Sequence, residues 1–412
     1  MSIAMNDNEI IRELAQQYME IANEPVNAER RQRAYLTNGL KQVRPLVWMG
    51  EIPWGEFDEC EELRPVCSDP WMRNIEIFFR RTLYQWRHFQ GDMVVEPYYP
   101  VYKAYDSTGD GLSIVERTIS TNVRNNIVSH DYEDQLDTLE KLDAIKQPIV
   151  TPRPDKDAQT LEKLNELLGG IMPVRLLGHA CHFSVWDRIS MYRSMANVMA
   201  DLADKPELMH ETARRLFDGH AAEIRQMNTA RLYTGYTPVL HVTPGYSREL
   251  EANEKLYGGT SKCTWLRVMA QPFASVSPKM HYEYDIAYTI PIAKKFGLVY
   301  YGCCEPLSDR LDVIKKLPNL RKVGVSPWSD VEKSAEALGK DYVFARKPNP
   351  ALVVGDINEE AIRCETEQAV RACIKYGCPY EFVLKDISSV SGKPQNLARW
   401  TELVEGVIDK YY

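Results

Sequence analysis

The apolar positions of this chain fall into two periods. From residue 7 to 38 the spacing is helical: Ile10, Ile11, Leu14, Tyr18 and Ile21 share a face, Asn23-Glu24-Pro25 breaks the run, and a basic amphipathic segment follows. Next comes Arg44-Pro45-Leu46-Val47-Trp48-Met49-Gly50-Glu51-Ile52-Pro53-Trp54, whose prolines and tryptophans read as an extended segment laid over something else. Residues 70–90 return to helical spacing, with Ile75, Ile77, Phe78, Phe79, Leu83 and Trp86.

Beyond residue 90 short apolar, β-branched or aromatic runs recur, most of them separated by helical patterns. They lie at 93–96, 174–179, 238–242, 273–277, 298–304, 322–326, 342–347 and 381–386. The helices between them carry boundary signals. Ser329-Asp330-Val331-Glu332 reads as a capping box for a helix that stops at Gly339, and Asn358 starts one that runs to Tyr376 and ends at Gly377. Leu161, Leu164, Leu167 and Leu168 mark another, stopped by Gly169-Gly170, and Ser308 caps one carrying Leu311, Ile314 and Leu317. Eight runs alternating with helices predict an α/β protein, a (β/α)8 TIM barrel, rather than a doubly wound sheet. On this reading residues 1–90 form an N-terminal helical extension packed on a barrel of 91–412. Residues 100–170 are an insertion after the first strand, with charged helices such as 134–145.

Composition narrows the class. Over 412 residues, 44% apolar and 26% charged content are those of a globular protein. No apolar run approaches eighteen residues and the N-terminus lacks signal-peptide regions, so a cytoplasmic location is expected. A net charge of -8 speaks against non-specific nucleic-acid binding. Nine cysteines, an odd number and sparse, read as reduced thiols, most of them core filler.

Candidate chemistry gathers at the run ends, which in a barrel share one mouth. In order they are Glu96, His179, His241, Ser277, Cys303-Cys304, Ser326, Lys347 and Asp386. The vicinal thiols follow Gly302 and precede Pro306, a sequence that can leave strand geometry and so turn both sulfurs to one side. Either they bind a metal, zinc being natural for thiolate with His or carboxylate, or one lines the barrel and the other packs outside. His241 and Glu283 are the nearby co-ligand candidates; the alternatives are a hydrogen-bonded core histidine and a first-turn helix acid. His179 can hold substrate or pack. Lys347 can bind an anionic group or sit solvated in its loop, and Asp386 can act as acid/base, as a further ligand or as a cap. Glycine-rich phosphate loops, a Gly-x-Ser-x-Gly elbow and HExxH are all absent from the sequence, which moves weight away from NTPases, Rossmann oxidoreductases and serine hydrolases.

From Arg44 to the C-terminus the chain resembles the uroporphyrinogen decarboxylase superfamily, nearer its cobamide-dependent methyltransferase branch than true decarboxylases. Arg44-Pro45-Leu46-Val47-Trp48-Met49 is similar to the family's early Pro-Val-Trp segment, and Tyr301-Gly302-Cys303-Cys304-Glu305 to the methyltransferase His-x-Cys-Gly-Asn element. Lys347-Pro348-Asn349-Pro350 resembles the loop carrying a Gly-Asn pair, and Lys385-Asp386-Ile387 falls where a late cysteine stands. The decarboxylases' arginine motif is replaced by Met49-Gly50-Glu51-Ile52-Pro53-Trp54, with an added acid, so a polycarboxylated tetrapyrrole is not expected as substrate. Tyr301 replaces the usual histidine ligand, Asp386 or a neighbour the late cysteine, and Cys304 is extra.

The resemblance implies a zinc-dependent methyltransferase moving a methyl group between a small methyl ether, amine or thiol and a corrinoid. A partner protein would carry the corrinoid, because no Asp-x-His-x-x-Gly segment occurs here. The expected zinc ligands are His241, Glu283, Cys303 and Cys304. Asp386 and His179 are assigned to catalysis, and Glu96, Lys347 and Trp328 to substrate. Two alternatives stand beside it: a decarboxylase of a small carboxylic acid, with Lys347 and His179 holding the carboxylate, and a non-catalytic ligand-binding barrel.

Overall fold

A computed structural model describes residues 6–57, 60–120 and 128–412. Its centre is a sheet of seven strands: β1 Leu46–Met49, β2 Cys181–Phe183, β3 Trp265–Val268, β4 Leu298–Tyr301, β5 Leu320–Val325, β6 Val343–Arg346 and β7 Tyr380–Leu384. All pairings are parallel, in the spatial order β1-β7-β6-β5-β4-β3-β2. Helices between the strands cover the outer face, as parallel sheets require. Among the described residues β1 and β2 do not pair with each other. The structure thus holds seven parallel strands in a TIM-barrel-like array, where a closed ring of eight was expected.

Strand alternation explains which residues face inward. Leu266, Val268, Val299, Tyr301, Val323, Val325, Phe344, Phe382 and Leu384 join the main apolar core beneath the outer helices. Their alternates, Trp265, Leu298, Tyr300 and Ala345, cluster inside the sheet with Leu240. Arg267, Lys322 and Glu381 share that inner register and are 1%, 0% and 1% exposed. An alternating strand with charges on one face usually turns them to water; here they turn to the interior, where an unpaired charge is costly.

Four of the expected runs are central strands, at 298–304, 322–326, 342–347 and 381–386. The others are corrected. Leu46–Met49, read as an overlying segment, is the edge strand β1, so the sheet begins inside 1–90. Residues 93–96 are irregular, and Val174–Leu177 pairs only with Tyr99–Tyr102, outside the central sheet. Residues 238–242 belong to a two-stranded hairpin, Val239–Leu240 with Thr243–Pro244. This hairpin lies against the end of β1: Val242 packs with Trp48 and Val383, and a Cβ on Gly50 would stand 3.1 Å from it. Gln271–Ser275 is a 3-10 helix, and the nearby strand is β3, which the apolar pattern hid because Arg267 interrupts it.

In 100–170, of which 121–127 lie outside the described residues, short antiparallel pairs replace the charged helices. Only Glu140–Ala144 coils, as one 3-10 turn, although Pro154–Leu168 is helical as expected. That helix shares a second core with Asp7–Ala22 and Pro70–Phe89, through Ile11, Leu14, Phe79, Leu83, Leu164 and Leu168. Each fully buried side chain of that size contributes about 1.5–3 kcal/mol. Ser308 does not cap a long helix; only Leu311–Ile314 follows, and Asp330 rather than Ser329 caps Val331–Leu338. Among the described residues no helix is long and apolar enough to cross a membrane.

Candidate functional site

The carboxyl ends of β1, β4 and β7 and the tip of the 239–244 hairpin bring four segments together. After β4 the chain leaves strand geometry at Gly302, whose φ is +97°; a Cβ there would meet Leu307 Cδ1 at 2.5 Å. The turn brings both sulfurs together, 3.5 Å apart. Glu305 closes it, its Oε2 accepting the Cys303 N–H at 2.8 Å. Behind the turn, Tyr301 is anchored outside the barrel, donating to Asp285 Oδ2 at 2.7 Å with His281 beside it.

Three side chains meet the thiols. His241 Nε2 lies 3.8 Å from Cys303 Sγ, Asp386 Oδ2 accepts from Cys304 at 2.8 Å, and Lys385 Nζ stands 3.6 Å from each sulfur. Glu51, the first residue beyond Gly50 at the end of β1, ties the set together. It accepts the Asp386 N–H at 2.9 Å, and its carboxylate is 3.4 Å from Lys385 Nζ and 3.8 Å from His241 Nε2. Glu51, His241 and Asp386 have φ of 54°, 57° and 57°, three of the eight non-glycine residues with positive φ among those described. Left-handed backbone at such residues costs roughly 1–3 kcal/mol each and clusters where function requires it. Three of these residues converge within one cluster beside the two thiols.

The electrostatics separate the two cysteines. Hydrogen bonding from Cys304, reinforced against burial by His241 and by the charges of Lys347 and Arg267, holds Cys303 far below the usual thiol range. Cys304 is pushed up by its bond to Cys303, by burial and by the Cys303 charge. Lys385 is held charged, against burial, by Cys303, Cys304 and Asp386. Burial and the Cys303 charge push Glu305 up to about 7. Burial, with the charge of Arg267, lowers His182 to about 4, so that imidazole is neutral near pH 7.

Of the residues singled out from sequence, Cys303, Cys304, His241 and Asp386 come together. Lys347 lies below them, 2% exposed, its ammonium 5.4 Å from the Tyr300 ring, so it is no solvated loop lysine. The rest lie elsewhere. Glu283 pairs with His210 at 3.2 Å and contacts neither sulfur, because its helix turns it outward. His179 Nε2 is bonded to the Lys103 carbonyl at 2.7 Å and its ring lies against Tyr102 and Tyr105. Glu96 is consumed by Arg31 at 3.2 Å and by the hydroxyls of Tyr236 and Tyr246. Trp328, 68% exposed, borders a separate hollow of about 590 Å³ with Arg346, Asn349 and Gln368. His179 and Lys347 make no mutual contact, so the carboxylate-holding pair of the decarboxylase reading is not assembled. The sequence reading missed Glu51, Lys385, Arg267 and Glu305. Lys385 had a signal, since it lies at the end of an expected strand beside Asp386; Glu51 stood out only as an added acid in the 49–54 stretch.

Two thiols and an imidazole are donors of the kind zinc takes. On a tetrahedral ion with Zn–S near 2.3 Å and Zn–N near 2.0–2.1 Å two sulfurs stand about 3.8 Å apart and a sulfur and a nitrogen about 3.5–3.6 Å; the Cys303–Cys304 and Cys303–His241 separations are 3.5 and 3.8 Å, each about 0.3 Å from that geometry. Among the described residues no three such side chains already surround a common point, and Lys385 occupies the space beside both sulfurs. Holding a metal there requires the ammonium to withdraw toward Glu51 and Asp386, its partners at the mouth.

No family of known proteins matches the chain, and no curated protein is similar to it. A solved structure, a methyltransferase from Methanosarcina mazei, aligns over 93% of this chain and 99% of its own, with 12% identity and a TM-score of 0.48. At that identity and score the likeness adds no argument, and the functional reading rests on the site.

Proposed function

We propose that this chain is a methyltransferase acting between a small methylated substrate and a corrinoid carried by a partner protein, with zinc held by Cys303, Cys304 and His241. The observation that supports it is the convergence of two sulfurs and an imidazole on the carboxyl side of the parallel sheet. When bound, zinc supplies Lewis acidity toward a substrate thiol or ether oxygen. The protein's own groups prepare for it. Hydrogen bonding from Cys304, with His241 and the nearby cations, favours the Cys303 thiolate, and Asp386 Oδ2, 2.8 Å from Cys304, is placed to accept its proton. Glu51 orients Asp386 through its backbone N–H and stands ready as the partner of Lys385.

Metal analysis of the purified chain tests this, beside Cys303→Ser, Cys304→Ser and the double variant. Near-stoichiometric zinc that falls in each variant, with methyl transfer to cob(I)alamin from ether, amine or thiol donors, is the expected result. Folded, metal-free protein with no transfer from any donor overturns it. The ammonium of Lys385, 3.6 Å from each sulfur, supports a second reading in which no metal intervenes. Cys303 then attacks the methyl carbon, an S–C bond forms, and the leaving group departs with the electron pair of its bond to that carbon. Methylated Cys303, seen as a 14 Da increment by mass spectrometry in metal-free protein, identifies that route.

A further inference from the structure

Beneath the thiols the barrel interior holds two cations with unused hydrogen-bond donors. Arg267 on β3 is 1% exposed and Lys347, just past β6, is 2% exposed. Both lie over Tyr300, the guanidinium carbon 4.4 Å and the ammonium 5.4 Å from the ring centre. Arg267 spends Nη1 on the Val268 carbonyl at 2.8 Å, while its Nε and Nη2, and Lys347 Nζ, donate to nothing. Glu305 Oε1, on the neighbouring turn, is unpaired as well. Buried donors, above all charged ones, are normally paired.

The same interior shows what pairing looks like. Lys322 gives its protons to Glu381 Oε1, Thr243 Oγ1 and the Pro244 carbonyl at 2.8, 2.9 and 3.1 Å. Among the described residues of this interior, Arg267 and Lys347 keep unmatched donors just under Cys303, whose charge both of them favour. The free donors of Arg267 are also the right two. Nε and Nη2 form the side edge of the guanidinium, two parallel N–H groups that match the two oxygens of one carboxylate.

We propose that Arg267 and Lys347 form a carboxylate-binding floor, so that the substrate is a small carboxylic acid anion whose methyl-bearing end is held up against Cys303 and Cys304. The assignment of the methyl-bearing end rests on the thiols being the reactive centre; the carboxylate floor is tested independently of it. Gly324 makes the floor possible, because a Cβ there would stand 3.4 Å from Lys347 Nζ and 3.0 Å from the Gly302 carbonyl.

The test is calorimetric titration of the full chain with methoxyacetate, its neutral amide methoxyacetamide, and methanesulfonate. Saturable methoxyacetate binding, at least tenfold weaker for the amide, is expected. Arg267→Lys keeps the charge and loses the fork, and Lys347→Met keeps the bulk and loses the charge. Each weakens methoxyacetate binding tenfold or more, with circular dichroism reporting the fold. If one variant does not fold, the other and the amide comparison still decide. Absence of saturable methoxyacetate binding, equal binding of acid and amide, or undiminished binding in a folded variant overturns the proposal; tighter methanesulfonate binding overturns the carboxylate assignment. Methoxyacetate binding with no methyl transfer from any donor leaves the floor standing and sinks the methyltransferase reading. Transfer from neutral donors with no carboxylate binding does the reverse.

Discussion

Replacing Lys322 by Met tests whether the inner face of the parallel sheet is held by charge pairing. Lys322 is 0% exposed and meets Glu381, 1% exposed, at 2.8 Å. At an effective dielectric near 20 the attraction across 2.8 Å is ~6 kcal/mol. Desolvating the two ions costs several kcal/mol each, so the pair is worth little net against an apolar pair of the same size. Removing one partner is different. Lys322→Met leaves Glu381 buried with only the Thr243 hydroxyl at 2.9 Å, and the expected loss is about 3–5 kcal/mol. Lys322→Met/Glu381→Leu, which removes both charges, should recover most of it and give a coupling of similar size in a double-mutant cycle. Urea unfolding followed by far-ultraviolet circular dichroism and tryptophan fluorescence, with the two required to coincide, measures both quantities. A single variant within about 1 kcal/mol of the parent, or a double variant losing the sum of the singles, would refute the reasoning.

Three further outcomes are expected. Glu76 is fully buried and accepts from the Val66 and Cys67 N–H groups and from Arg80; burial opposes, but these bonds win and hold its carboxyl below the usual 4.5. A lowered folded-state pKa stabilises above the unfolded value and is lost as pH falls through the folded one, so Glu76→Gln should lower stability at pH 7 and flatten its decline below about 4.5. Gly302→Ala should cost at least roughly 1–2 kcal/mol from the left-handed backbone alone, and an unchanged urea midpoint would contradict the turn. Asn358→Ala removes the cap on the Ala361 N–H, 3.0 Å away, and thermal unfolding should report a loss of about 1 kcal/mol.

The strands legible in sequence were those whose apolar run had no inward charge except at its end, as in Leu298-Val299-Tyr300-Tyr301 and Tyr342-Val343-Phe344-Ala345. Trp265–Val268 was not, because Arg267 faces the barrel and broke the run. Leu46–Met49 was hidden between two prolines, which fit an edge strand as well as a loop. At the site, Cys303, Cys304, His241 and Asp386 were readable as polar residues ending apolar runs. Their meeting with Glu51 was not, since it depends on the pairing of β1 with β7 across most of the chain, which sets the Glu51 carboxylate against the Asp386 N–H. Glu283 misled because neighbourhood along the chain is not direction in space: its turn of helix presents Asp285 to Tyr301 and Glu283 to His210.

The positive φ of Glu51, His241 and Asp386 has an evolutionary corollary. Glycine would relieve roughly 1–2 kcal/mol at each of these positions and would erase the side chains of His241 and Asp386 that meet the thiols and that of Glu51 that holds Asp386 and Lys385. Selection for thermal robustness and selection for activity therefore oppose each other at these three codons. A variant library sorted only for heat resistance should drift toward glycine at 51, 241 and 386, and one sorted for turnover should hold them fixed.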